Sequence, residues 1–337
     1  MENRACRRHL NTCKYIVGTF ACKDVCELDC TRLSSYLSGL HSAQRALIGK
    51  VCCKVFVLHG VKSTSTPRDK VINPLDAICN VPRNDAVCVS NLKSAKPMDK
   101  HILQDRPDVK IFLPFRFLTY KPTELFEENM YRNYLVALDG DHVLSLIDEI
   151  SYRAAPSPPL SQLHDIPPEL FCNGDNRPPN CAEDCRCTHM IDVPLNAIVE
   201  IVLVDEVQSQ NLSHPFHIHG NSFRVIGMGR SPDKNTKKIN LKHALDLDRQ
   251  GLLERQFDYP PSKDTIAVPN NGYVVLRMKA DNPGFWLFHC HFLYHILIGM
   301  STIIHVGTQG DLPPVPPNFP TCGSHVPDIT PPIFHLY

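Results

Sequence analysis

The chain has 337 residues, with 35 Lys plus Arg set against 35 Asp plus Glu, and that length is enough to bury a sizeable core in one large or two ordinary domains. A formal net charge of zero and the lack of any block of like charge argue against nucleic acid or another polyanion as a partner. No stretch reaches the roughly 18 uninterrupted apolar residues of a membrane span; the best candidate, "FWLFHCHFLYHILIGMSTII", carries imidazoles and a thiol that lipid tolerates poorly.

Fifteen cysteines point to an oxidising compartment, although the opening "MENRACRRHLNTCKYIVGTFAC" lacks the uninterrupted apolar core of an export signal. Residues 1–68 hold Cys6, Cys13, Cys22, Cys26, Cys30, Cys52 and Cys53 without a clear apolar period. Cys22, Cys26 and Cys30 would share one face of a helix. Disulfides, or a segment with no fold of its own, account for these cysteines better than a metal site does.

From "NPLDAIC" onward, short apolar runs alternate with turn signals: "VKIFLPFRFL", "HVLSLIDEISY", "NAIVEIVLVDEV", "FRVIGMG", "TIAVPNNGYVVLRM" and "STIIHVG". Val and Ile enrichment and bracketing turns predict strands, and the 29 prolines suit edges and connections better than a helical bundle. The expected fold is an all-β sandwich. One segment, "KKINLKHALDLDRQGLLERQ", is expected as a short helix or an irregular excursion. The loop "CNGDNRPPNCAEDCRC" places Cys172, Cys181, Cys185 and Cys187 together; its C-x-C end lacks zinc-knuckle spacing, so disulfides of undetermined connectivity are expected.

Two clusters carry the chemistry: "HPFHIHG", with His214, His217 and His219, and "HCHFLYHILIGM", with His289, Cys290, His291, His295 and Met300. If both begin as strands, alternation sorts the side chains by face. His217 and His219 share one face and His214 takes the other; His289 and His291 share one face and Cys290 takes the other. Two sites follow. His214, Cys290, His295 and Met300 make up the thiolate, imidazole and thioether set of a blue-copper centre. His217, His219, His289 and His291 offer imidazoles alone, suited to copper that binds oxygen, and the backbone of Cys290 gives a short covalent route between the two. His142, His305 and His335 are read as ordinary core histidines, and Phe285, Trp286 and Phe288 as packing around the second strand.

At these residues the sequence resembles the C-terminal part of a multicopper oxidase, specifically an arthropod laccase of the cuticle-tanning kind. The resemblance also runs through "INPLDAICNVPRNDAVCVSNLKSAKPMDK", "RPDVKIFLPFRF", "ELFCNGDNRP", "INLKHALDLDRQGLL" and "LPPVPPNFPTCG". It implies a cupredoxin-like Greek-key β-sandwich, the third such domain of the family. On this reading residues 1–68 are an unassigned Cys-rich segment, 69–106 a remnant of the second domain with a linker, and 107–337 the C-terminal plastocyanin-like domain.

Carried over residue by residue, the resemblance implies type 1 copper at His214, Cys290, His295 and Met300, a type 2 ligand at His217, and type 3 ligands at His219, His289 and His291. His295 would face the phenolic substrate, and Cys290 would pass its electron inward to reduce dioxygen to water. The family's first domain supplies two further His-x-His segments, yet the only such segments here are His217-Ile-His219 and His289-Cys-His291. The chain is therefore expected to be the C-terminal portion of a secreted laccase-type oxidase, needing N-terminal domains to complete its trinuclear copper site. The alternatives are a copper-binding cupredoxin module without oxygen-reducing activity and a non-catalytic relative; the presence of both Cys290 and Met300 counts against the latter.

Overall fold

In a computed structural model, the structure describes residues 71–72, 84–95, 100–127, 130–131, 134–136, 140–179, 181, 185–207, 212–231 and 238–322. All of these belong to the unit Asp69–Tyr337. The N-terminal cysteines and His335 lie outside the described residues.

The longer strands form in chain order: β1 (Val109–Tyr120), β2 (His142–Ile147), β3 (Ile150–Tyr152), β4 (Cys185–Val193), β5 (Ile198–Asp205), β6 (His214–Ile218), β7 (Phe223–Arg230), β8 (Thr265–Val268), β9 (Gly272–Lys279), β10 (Gly284–Cys290) and β11 (Ser301–Val306); all but β4 were expected from the apolar runs and the two histidine clusters, whereas Cys185 and Cys187, read as loop residues, open β4. They lie along one continuous hydrogen-bonded path, β7-β9-β5-β1-β2-β3-β4-β11-β10-β6-β8. The fold is mostly β and barrel-like. β4 turns the corner between its two layers: Cys185–Cys187 run parallel to Ile150–Tyr152, whereas Met190–Val193 run parallel to Ile303–Val306. Strands that change layer in this way make the corners of packed sheets.

The main core lies between the layers, where Leu113, Phe115, Ile201, Leu203, Val274 and Leu276 meet Phe216, Ile218, Val268, Phe288 and Ile304. β5 is buried along its whole length. Its Val199, Ile201 and Leu203 face that core, while Val202 and Val204 face a second cluster with Ile226, Val275, Ala244 and Leu247. A strand covered on both faces reads as the near-continuous apolar run seen in "IVEIVLVD".

The covering element is helix α1 (Leu241–Arg249), started by Asn240, whose side chain accepts the His243 N–H at 2.8 Å. It ends where Gly251 takes a positive φ of 70°, the usual stop signal. Beneath it, fully buried Glu200 accepts from Arg277 at 2.6 Å and from Arg255 at 2.7 Å. Arg277 also donates to the carbonyls of Ile102 (3.3 Å) and Gln104 (2.7 Å), which fastens the segment before β1 to the sheet. Among the described residues no helix is long and apolar enough to cross a membrane.

Candidate metal centre

β10 delivers Cys290 and then turns into the single-turn helix α2 (Leu293–Leu297) before β11 begins. The loop is closed by its own backbone: Cys290 N–H donates to Met300 O (3.1 Å), and Met300 N–H donates to His295 O (2.9 Å). Gly299 makes this closure possible. Its φ is +107°, and a Cβ there would lie 2.1 Å from Ser151 Oγ on β3, so only glycine fits. Cys290 and Met300, ten positions apart in the sequence, both become fully buried in the main core cluster.

Cys290 Sγ lies 3.4 Å from His295 Nδ1, and the His295 ring centroid is 5.1 Å from that of His214. His214 is fully buried; its Nδ1 is 3.1 Å from Asp205 Oδ2, and its Nε2 is buried without a hydrogen-bond partner. Phe115 and Phe117 meet the His214 ring edge-on at 5.1 and 5.9 Å. Phe117 and Phe292 meet His295 at 5.0 and 5.1 Å. Cys290, His295 and His214 thus come together beside aromatic rings, His295 half-buried and the other two fully buried, with Met300 in the same core cluster as Cys290.

The other four share the opposite side of the same strand pair. In the antiparallel register of β6 and β10, Phe216 faces Cys290 and His217 faces His289. The ring of His217 lies 5.2 Å from His219, 5.6 Å from His289 and 5.6 Å from His291. His219 Nε2 and His289 Nε2 approach to 3.1 Å. The outward nitrogens are tied back, His217 Nδ1 to Asp264 O (3.0 Å) and Thr265 Oγ1 (2.9 Å), and His289 Nδ1 to Cys290 O (2.9 Å). Such contacts fix ring orientation and tautomer around metals.

His219 follows the last residue of β6, at a turn that Trp286 holds in place. Gly220 has φ +60°, and a Cβ there would lie 2.1 Å from the Trp286 ring. Trp286 Nε1–H donates to Asn282 O (2.8 Å), and Asn282 donates to Gly220 O (2.7 Å). Trp286 therefore positions the turn as well as packing, whereas Phe288 is plain core. Phe285 stacks on His305 at 4.2 Å, and His305 bonds Asp192 at 2.6 Å. The half-buried His142 packs on Tyr134 at 4.9 Å.

Burial pushes the Cys290 thiol up to about 12. It pulls His295 down to about 4, with the neighbouring His214 adding to the effect. Burial, and then the adjoining imidazoles, also lower His219 and His289. Burial raises Asp205, opposed by its bonds from His214 and the Val207 N–H. Neutral imidazoles with free nitrogens, beside a thiol that has no disulfide partner, are a donor set that a soft or borderline metal ion satisfies by displacing the thiol proton. The unpartnered Nε2 of buried His214 is a polar atom awaiting such a partner. The residues fit copper.

The loop cysteines pair as Cys172–Cys187 and Cys181–Cys185: disulfides were expected there, and the connectivity that the sequence left open comes from the structure. The sequence reading did not single out Asp205, Phe117 or Phe292. Asp205 alone left a signal there, as an acidic residue closing the apolar run "IVLVD".

Residues 153–310 match the family model described as multicopper oxidase, a span that contains all eight residues of the two clusters. Among curated proteins, Laccase-10 of Arabidopsis thaliana is 29% identical over 196 residues, 53% of this chain and 33% of that protein. Laccase-21 of Oryza sativa subsp. japonica is 32% identical over 162 residues, 46% of this chain and 25% of that protein. The chain thus spans a third or less of the length of these relatives. Among solved structures, Fet3p, a multicopper oxidase that functions in iron import, is 22% identical with a TM-score of 0.39, covering 60% of this chain and 32% of that one. The laccase from Botrytis aclada is 17% identical with a TM-score of 0.39, covering 69% of this chain and 34% of that one.

Proposed function

We propose that the chain is the copper-holding part of a laccase-type oxidoreductase. His214, Cys290, His295 and Met300 hold a type 1 copper ion; His217, His219, His289 and His291 contribute to a second, oxygen-reducing centre, His217 as a type 2 ligand and the other three as type 3 ligands. The observation that carries this reading is the convergence of Cys290 Sγ and His295 Nδ1 at 3.4 Å beside His214, back to back across one strand pair with four clustered imidazoles.

When bound, copper supplies one-electron oxidation of a phenol at the first site and reduction of dioxygen to water at the second. The chain's own residues do the rest. The closed loop from Cys290 to Met300 holds a thiol and a thioether at fixed depth in the core. Phe115 and Phe117 shut water out beside His214, while Phe292, exposed at 39%, leaves the His295 side open to an aromatic donor. Cys290 joins His289 and His291 through single peptide linkages, the shortest covalent connection the backbone allows between the two faces.

The arthropod, cuticle-tanning assignment and catechol-like substrates rest on sequence resemblance alone; the relatives above are plant laccases. The paired cysteines accord with secretion. Residues 107–337 would be the C-terminal cupredoxin domain, 69–106 part of the preceding one, and further His-x-His segments from N-terminal domains would complete the second centre.

The test is to load the 337-residue chain with copper and record its visible spectrum, its copper content and its oxygen uptake with a catechol. An intense thiolate-to-copper band is expected, and its absence in a folded, copper-loaded protein rules the reading out. A band without oxygen uptake would identify the chain as a one-electron module.

A further inference from the structure

Outside the two histidine clusters, a cleft of about 460 Å³ lies between β3 and the end of α2, within the range of about 300–1,000 Å³ that small molecules occupy. Leu144, Leu287, Ile296 and Ile298 give it apolar walls, and Tyr152, Arg153 and Arg186 its polar groups. Backbone bonds hold these walls in place: Ser145 N–H donates to Ile298 O (2.9 Å), Tyr152 N–H to Gly299 O (3.0 Å) and Arg153 N–H to Cys187 O (2.8 Å). The cleft is therefore preformed.

Among the described residues no Asp or Glu lines it. Arg186 is steadied by its bond to the Tyr120 hydroxyl at 3.1 Å, whereas the exposed Arg153 guanidinium and the half-buried Tyr152 hydroxyl have no partner among the described residues. Two guanidinium groups beside a cavity without a carboxylate favour an anion, and a planar fork suits a carboxylate best. The aliphatic walls reward an apolar body that leaves water with it.

We propose that this cleft binds a small aromatic carboxylate, its ring against the Leu144, Leu287 and Ile296 side and its charge on Arg153 and Arg186, with the Tyr152 hydroxyl as a further donor. The site calls for no metal ion, so it stands or falls apart from the copper reading.

The 337-residue chain, copper-loaded and metal-free, is titrated calorimetrically with benzoate and with benzamide, its uncharged counterpart. Benzoate should bind equally in both forms, and benzamide about fivefold or more weakly. Arg153→Gln should weaken benzoate by about two- to fivefold and leave benzamide unchanged. Ala154→Trp, a large side chain at an exposed lining position, should weaken both. Benzoate binding that is absent, that needs copper, that benzamide matches, or that Ala154→Trp leaves intact overturns the proposal. Should a variant not fold, ring-to-methyl nuclear Overhauser contacts on the parent decide: benzoate protons must reach Ile296 or Ile298, and contacts elsewhere alone overturn the site.

Discussion

His217 and His289 sit directly opposite each other in the antiparallel pairing of β6 with β10, their rings 5.6 Å apart, and the next pair in register, Phe216 with Cys290, points the other way into the core. One register therefore sets both sites, because slipping a strand by one residue exchanges its faces.

That separation makes Cys290→Ser diagnostic. The variant should lose the intense visible band while retaining copper held by the imidazoles on the other face. Copper analysis alongside absorption checks this, and a band that survives would show the thiolate is not a ligand.

Gly220→Ala should destabilise the fold by about 1–3 kcal/mol, because the added methyl meets the Trp286 ring in a backbone region that L residues rarely adopt. Urea unfolding measures the loss. A second substitution, Trp286→Leu, should recover part of it by making room for the methyl.

Glu200 carries its charge without exposure because Arg277 and Arg255 bond it. Arg277→Met takes away one of these partners and both bonds to the carbonyls of residues 102 and 104, and a loss of about 3–5 kcal/mol is expected. The double variant Glu200→Gln/Arg277→Met should recover part of that loss, which a double-mutant cycle reads directly.

His189 is fully buried with neither ring nitrogen bonded, and burial, with Arg177 adding to it, pulls its pKa down from 6.5 to about 3. The folded state thus stays neutral where the unfolded chain takes up a proton. Its contribution to stability is full above pH 6.5 and falls away as the pH drops toward 3, by at most about 1.4 kcal/mol per pH unit. Denaturant titrations at pH 7.5 and 5 should show a steeper loss for the parent than for His189→Leu; equal losses would contradict this.

Alternation in "HPFHIHG" and "LFHCH" was enough to sort six of the eight candidate ligands onto faces, leaving His295 and Met300 to the following turn, because strand geometry puts side chains on alternate faces whatever surrounds them. The strand runs, the single covering helix and the preference for disulfides over zinc in the residue 172–187 loop were legible for the same local reasons. The pairing of Cys172 with Cys187 was not, since it depends on β4 and the Phe171–Cys172 bridge lying side by side.

What the sequence by itself determined is therefore the chemistry on offer: a thiol, a thioether and six imidazoles in two periodic clusters. Only the tertiary structure decided their environment. Asp205 reaches His214 because β5 and β6 belong to opposite layers of one sandwich, and Phe117 reaches both His214 and His295 from β1, far away in the chain. Contacts between residues distant in sequence depend on how the layers close over a common core, and no local period encodes that closure.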